Sequence, residues 1–142
     1  MKNSILLTFT LFCFLFLTES CKKESIEVAN QVGIWSLEAF SETILGDSIL
    51  SQGSRSGILT LTSDGSGTFE SFQKQQKVYW NLLENRKKIA IFIIYDGFYA
   101  TDLLDIITDE PTKQVWYAER TLIDINGQKY RITDKWSLGK KL

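Results

Sequence analysis

The strongest constraint in this sequence is its period. Near the C-terminus Tyr130, Ile132, Asp134, Trp136 and Leu138 alternate with Lys129, Arg131, Thr133, Lys135 and Ser137. A period of two puts the two sets on opposite faces of a β-strand. The same beat runs back to Gly33, broken by turn signals. Trp35, Leu37 and Ala39 alternate with Ser36 and Glu38 as a first strand. Leu37, Phe40 and Ile44 also fit one helical turn over 37–45, which ranks below the strand. Gly46-Asp47 is a turn, Ser51–Gly57 the longest polar loop, and Ile58, Leu59 and Leu61 a second strand. Asp64-Gly65-Ser66-Gly67 is a hairpin turn from which Thr68–Phe72 returns. Val78, Trp80 and Leu82 then oppose Tyr79 and Leu83, and 84–88 is a basic turn.

Ile89–Tyr95 is apolar at both parities and only seven residues long, which predicts a strand covered on both sides. Asp96-Gly97 turns the chain into Phe98–Ile107, a strand with room for a bulge. Asp109–Thr112 is a loop holding the single Pro. In Gln114–Ile123, Val115, Tyr117, Glu119 and Thr121 oppose Trp116, Ala118, Arg120 and Leu122, and Asn126-Gly127 is a strong hairpin signal. About eight strands in this length, joined by tight turns, predict an all-β, antiparallel up-and-down meander. Eight strands can close into a barrel and so remove aggregation-prone edges. A two-sheet β-sandwich is the alternative.

Composition narrows the chemistry. Sixteen Lys+Arg against seventeen Asp+Glu give a net charge of −1, which argues against nucleic-acid binding through phosphate neutralisation. The chain has no His, so Ser-His-Asp and Cys-His catalysis and His-based zinc sites are excluded. Ser71-Phe72-Gln73-Lys74 matches a Ser-x-x-Lys pattern without its partner motifs, and Gly53–Gly57 places Arg55 where a nucleophile elbow needs Ser. Asp124-Ile125-Asn126-Gly127 starts like a calcium loop but lacks the later ligands. Asp102 and Asp105 face opposite sides of a regular strand, while Glu119 and Asp134 are placed to pair across neighbouring strands. All four read as solvated carboxylates. Arg86, Lys87 and Lys88 read as a solvated turn. The expectation is a non-enzymatic protein without cofactor or metal.

The N-terminus has a different character. Lys2 precedes a thirteen-residue run, Ile5–Leu17, apolar except for Thr8 and Thr10. That suits a signal peptide over residues 1–20 and is short of the roughly 20 residues a spanning helix needs. The run ends Leu17-Thr18-Glu19-Ser20-Cys21-Lys22-Lys23, which resembles the lipobox of bacterial lipoproteins. Thr18 and Glu19 depart from the usual pattern, and Ser20 fits it. The resemblance implies acylation of Cys21 and anchoring to a membrane, the outer membrane of a Gram-negative bacterium. Cys13 would leave with the signal peptide, so Cys21 would have no cysteine to pair with inside the exported chain. Residues 21–32 are then a polar tether, ten flexible residues of which reach roughly 17 Å r.m.s..

Gly33-Ile34-Trp35 at the start of the first strand resembles the Gly-x-Trp signature of lipocalins and of short lipocalin-like domains on bacterial lipoproteins. Ser63–Thr68 and Tyr79-Trp80-Asn81-Leu82 follow in that family's order. The resemblance spans most of residues 33–138 and implies a lipocalin-like barrel over 33–142. It implies that Trp35 closes the barrel floor under a basic side chain from a late strand, Arg131 or Lys135. Trp80, Tyr99 and Trp116 are then candidate ligand-lining residues, although Trp80, Trp116 and Trp136 read first as core or rim aromatics. The expected function is binding of a hydrophobic small molecule or lipid in the cell envelope. The alternative is a solid-packed barrel acting on an envelope protein partner, as accessory subunit or inhibitor. An apolar cavity of several hundred Å3 would separate the two.

Overall fold

The computed structural model describes residues 29–142 apart from residue 73. The expected signal peptide, Cys21 and the expected tether up to Val28 lie outside the described residues. Eight strands follow in chain order: β1 (Gly33–Leu45), β2 (Ser48–Leu61), β3 (Ser66–Ser71), β4 (Lys74–Leu83), β5 (Lys88–Tyr95), β6 (Phe98–Asp109), β7 (Lys113–Ile123) and β8 (Lys129–Lys140). Each pairs antiparallel with the next, and β8 pairs back onto β1 from Trp35↔Lys140 to Leu45↔Tyr130. The result is a closed up-and-down barrel, as the alternation predicts, and not a sandwich. One end, the floor, holds the β2–β3, β4–β5 and β6–β7 turns and both ends of the described residues. The other end, the mouth, holds the remaining four turns.

The turn signals do what their chemistry predicts. Asp64 Oδ1 accepts hydrogen bonds from the Ser66 N–H at 2.9 Å and from the hydroxyls of Thr62 and Ser66. Asp124 Oδ1 accepts from the Asn126 and Gln128 N–H groups, so 124–127 is a hairpin turn built on an Asp cap. Gly57 and Gly67 serve closure in another way. A Cβ on Gly57 would strike the Glu70 carbonyl, and one on Gly67 the Thr60 carbonyl, so β2 and β3 curl together only because both positions lack a side chain.

Ser51–Gly57 is strand rather than loop. Its residues have poor β propensity, but they pair in register with β1 from Thr43↔Ser51 to Leu37↔Gly57. Sheet pairing overrides propensity here. The 37–45 segment is likewise strand. Among the described residues Ser48–Gly57 take strand partners from β1 alone, because β3 is short and meets β2 only over Ile58–Leu61. In β6 the ladder slips between Ile106 and Thr108, the bulge for which the sequence left room.

The core fills the floor half. Trp35, Leu37, Leu59, Leu61, Val78, Trp80, Leu82, Leu104, Trp116, Trp136 and Leu138 are buried in one cluster. β5 contributes Ile89, Ile91 and Ile93 to it. Its other face departs from expectation: Phe92 and Ile94 are 40% and 42% exposed, and no described element covers them. Two apolar faces on one strand do not require two covers. The core cluster runs from Ala29 to Leu138 and the strand order closes on itself, so the described residues share one core.

The fold also begins earlier than Gly33. Gln31 is 1% exposed. Its Nε2 donates to Asp109 Oδ1 at 2.9 Å and to Gln114 Oε1 at 3.2 Å, and its carbonyl accepts the Trp35 indole N–H at 2.7 Å. Residues 29–32 are therefore a floor latch and not tether.

Candidate functional site

Trp35 lies at the floor, fully buried. The cation over its ring is Lys140 Nζ, 5.3 Å from the centroid, which also donates to the Val32 carbonyl at 3.3 Å. Arg131 and Lys135 do not reach it. In an antiparallel barrel β1 starts at the floor and β8 ends there, so the cation must come from the end of β8. Arg131 pairs with Ile44 near the mouth, nine residues and roughly 30 Å of strand away. Gly33 has φ 144°, a backbone conformation that strains any residue with a Cβ, and it lies under the Lys140 side chain. The floor is sealed further by Gln114, whose Oε1 accepts the Trp116 indole N–H at 3.2 Å and whose Nε2 donates to Asp109 Oδ1 at 2.9 Å.

The aromatic residues named as ligand-lining sit elsewhere. Trp80 is buried in the floor core and donates to the Thr62 and Ser66 carbonyls at 3.1 and 3.2 Å. Trp116 is fully buried, with its ring 6.0 Å from Trp136. Tyr99 is 76% exposed on the outer face of β6. None of the three lines the barrel cavity.

That cavity, about 360 Å3, lies above the packed floor and opens towards the mouth. It is lined by Ala39 and Ser41 from β1, Gly53, Ser54 and Arg55 from β2, Ala100 and Asp102 from β6, Arg120 from β7, and Asp134 and Trp136 from β8. Two arginines and two aspartates thus meet inside the barrel, where the sequence suggested solvated carboxylates. Arg120 Nη2 donates to Asp134 Oδ2 at 2.7 Å and its Nη1 lies 4.0 Å from Asp102. Arg55 donates to Asp102 Oδ2 and to the Tyr95 hydroxyl, both at a long 3.4 Å. Its guanidinium sits over the Trp136 ring at 4.7 Å and the Phe69 ring at 5.8 Å. Burial pushes the Asp134 carboxyl above its ordinary value; the Asp102 charge adds to the rise, while Arg120 and Arg55 oppose it. Glu119 does not join Asp134: it faces outward and accepts from the Tyr117 hydroxyl at 2.9 Å.

The layer is formally neutral but unevenly held. The Arg120–Asp134 pair is short. Arg55 is pinned by two aromatic rings yet only loosely bonded, so it keeps N–H donors for an oxygen acceptor in the cavity. Sequence period alone places Asp134, Trp136, Arg120 and Asp102 on inward parities. Nothing local marks Arg55, since its strand reads as loop.

No protein-family model and no curated protein matches the chain. Among solved structures it is similar to insecticyanin from the tobacco hornworm Manduca sexta, at 10% identity and TM-score 0.45, over 79% of this chain and 62% of that one. It is also similar to a deswapped triple mutant of bovine odorant binding protein, at 12% identity and TM-score 0.37, over 80% of this chain and 76% of that one. The chain therefore spans less than two thirds of the insecticyanin chain.

Proposed function

We propose that this protein is a membrane-anchored binding protein of the cell envelope, held by acyl chains on Cys21, whose barrel takes a small amphipathic molecule or lipid. The observation that carries the reading is the cavity: a closed barrel solid in its lower half, with a charged layer at the base of an open upper half. Its volume of about 360 Å3 is at the small end of ligand pockets, which run from about 300 to 1,000 Å3. A polar, oxygen-bearing head would sit against Arg55, at the level of Ala39 and Trp136, with the rest of the molecule towards the mouth.

Native mass spectrometry of the barrel, residues 22–142, tests this. A co-purified adduct that solvent extraction removes, and that Arg55→Met loses, is the expected result. A bare mass for the unsubstituted protein would refute it. The anchor is tested apart: Cys21→Ser should abolish acyl labelling and release the protein, and unchanged labelling would refute acylation there.

A second reading, action on an envelope protein partner, is favoured by one feature. Ser48–Gly57 overhang β3 and offer a strand edge to which a partner strand could add.

A further inference from the structure

β5 is apolar on both faces, and the core uses only one of them. On the outer face Tyr79 of β4 pairs with Phe92 of β5, and Ile94 of β5 pairs with Tyr99 of β6. These four are 49%, 40%, 42% and 76% exposed. Phe98, 64% exposed and stacked on Tyr95 with ring centroids 4.8 Å apart, carries the patch round to the mouth rim. Together they line an apolar groove of about 460 Å3. Lys74 and Lys77 line the adjoining cleft beside Ile94 and Phe98, with Asp96 the one acid there. An aromatic and aliphatic patch edged by lysines is the composition of surfaces that lie at a membrane interface.

We propose that this outer flank of β4–β6 seats on the surface of a lipid bilayer carrying anionic headgroups. The chain outside the described residues makes the seating reachable, a point that rests on the acylation of Cys21 proposed above. Cys21 and Ala29 are eight residue steps apart, at most roughly 28 Å. The thirteen residues of β1, tilted as in other barrels, rise roughly 33 Å. Fully extended, the stretch from Cys21 to Ala29 nearly matches the height of the barrel, which leaves the barrel room to lie on its side. The chain also enters the floor beside the end of β6, where Asn30 and Gln31 bond to Asp109. β6 is the strand that carries Tyr99 at its other end. A barrel lying on this flank brings its mouth to the bilayer, so a lipid ligand would pass into it without crossing water.

The test uses the unacylated barrel, residues 22–142, sedimented with vesicles of phosphatidylcholine mixed with phosphatidylglycerol. The barrel is expected to sediment with them. Ile94→Ser combined with Tyr99→Ser should weaken binding by roughly tenfold to a hundredfold, and Lys77→Glu, at an exposed position, by roughly tenfold. Lys141→Glu, the same charge change at an exposed position outside both this flank and the cavity, should sediment as the unsubstituted barrel does, which separates this surface from the overall charge. An unsubstituted barrel that stays in the supernatant, or Ile94/Tyr99 and Lys77 variants that bind as well as it does, would overturn the proposal. So would a lipid-free dimer, seen by analytical ultracentrifugation, that Ile94→Ser with Tyr99→Ser abolishes; a second copy would then be the occupant.

Discussion

Gln31→Ala is the most informative single change to the fold. The side chain is 1% exposed and makes two hydrogen bonds across the floor, to the Asp109 carboxylate at 2.9 Å and to Gln114 Oε1 at 3.2 Å. A neutral bond contributes about 1 kcal/mol and one to a charged group about 2 kcal/mol, so the loss is about 3 kcal/mol. Neither acceptor is orphaned by the change. Asp109 Oδ1 still accepts from Gln114 Nε2, and Gln114 Oε1 still accepts from the Trp116 indole. The Trp35 indole keeps its bond to the residue-31 carbonyl, which is backbone. The loss should therefore stay near the value of two bonds and not grow to that of a broken network. For a domain of this size it corresponds to a fall in Tm of roughly 12 °C. Thermal unfolding by circular dichroism, with urea titration at 25 °C, reads it on the barrel beginning at residue 22. Asn30→Ala is the control, because Asn30 makes one exposed bond at 3.3 Å and should cost less than about 0.5 kcal/mol. If Gln31→Ala unfolds within about 0.5 kcal/mol of the unsubstituted barrel, residues 29–32 are tether and the latch argument fails.

Gly67→Ala should destabilise by about 3 kcal/mol or more, since its Cβ meets the Thr60 carbonyl and backbone cannot step aside; a urea midpoint unchanged from Gly67 would refute the close approach. Asp64, held down at about 2 by the Thr62 and Ser66 hydroxyls and the Ser66 N–H, stabilises the fold above the unfolded value of 3.8 and loses that contribution as pH falls towards 2. The stability difference between the unsubstituted barrel and Asp64→Asn should accordingly be constant above about pH 4 and shrink below it; a difference independent of pH would refute this. Asp134 has the opposite sign: its raised carboxyl keeps a proton longer in the folded state, so stability falls as pH rises from 3.8 through the folded value. Asp134→Asn should remove that slope in urea titrations from pH 3.5 to 7, and an unaltered slope would show that burial of this carboxyl is not its source.

The architecture was largely legible because alternation and turn chemistry are local. Tyr130 to Leu138 declare one inward face, and Asp64-Gly65 and Asn126-Gly127 place hairpins that the structure shows as Asp-capped turns. The strand at Ser51–Gly57 was not legible. Ser, Gln and Gly residues become strand there only because β1 lies alongside. The basic residue over Trp35 was expected from a late strand, and it is Lys140 rather than Arg131 or Lys135 because register, not residue type, decides which β8 position meets the floor.

By itself the sequence determined most of the strands and their turns, an inward face for most of them and an N-terminal segment unlike the rest. These follow from neighbours within a few residues of one another. Only the tertiary structure decided that β8 closes on β1 and that Gln31 locks the floor. It also decided that Arg55, Asp102, Arg120 and Asp134 meet in one charged layer and that the outer face of β5 is left bare. Each of these depends on which strands become neighbours across tens of residues, and a period of two fixes a side chain's face but not what stands opposite it.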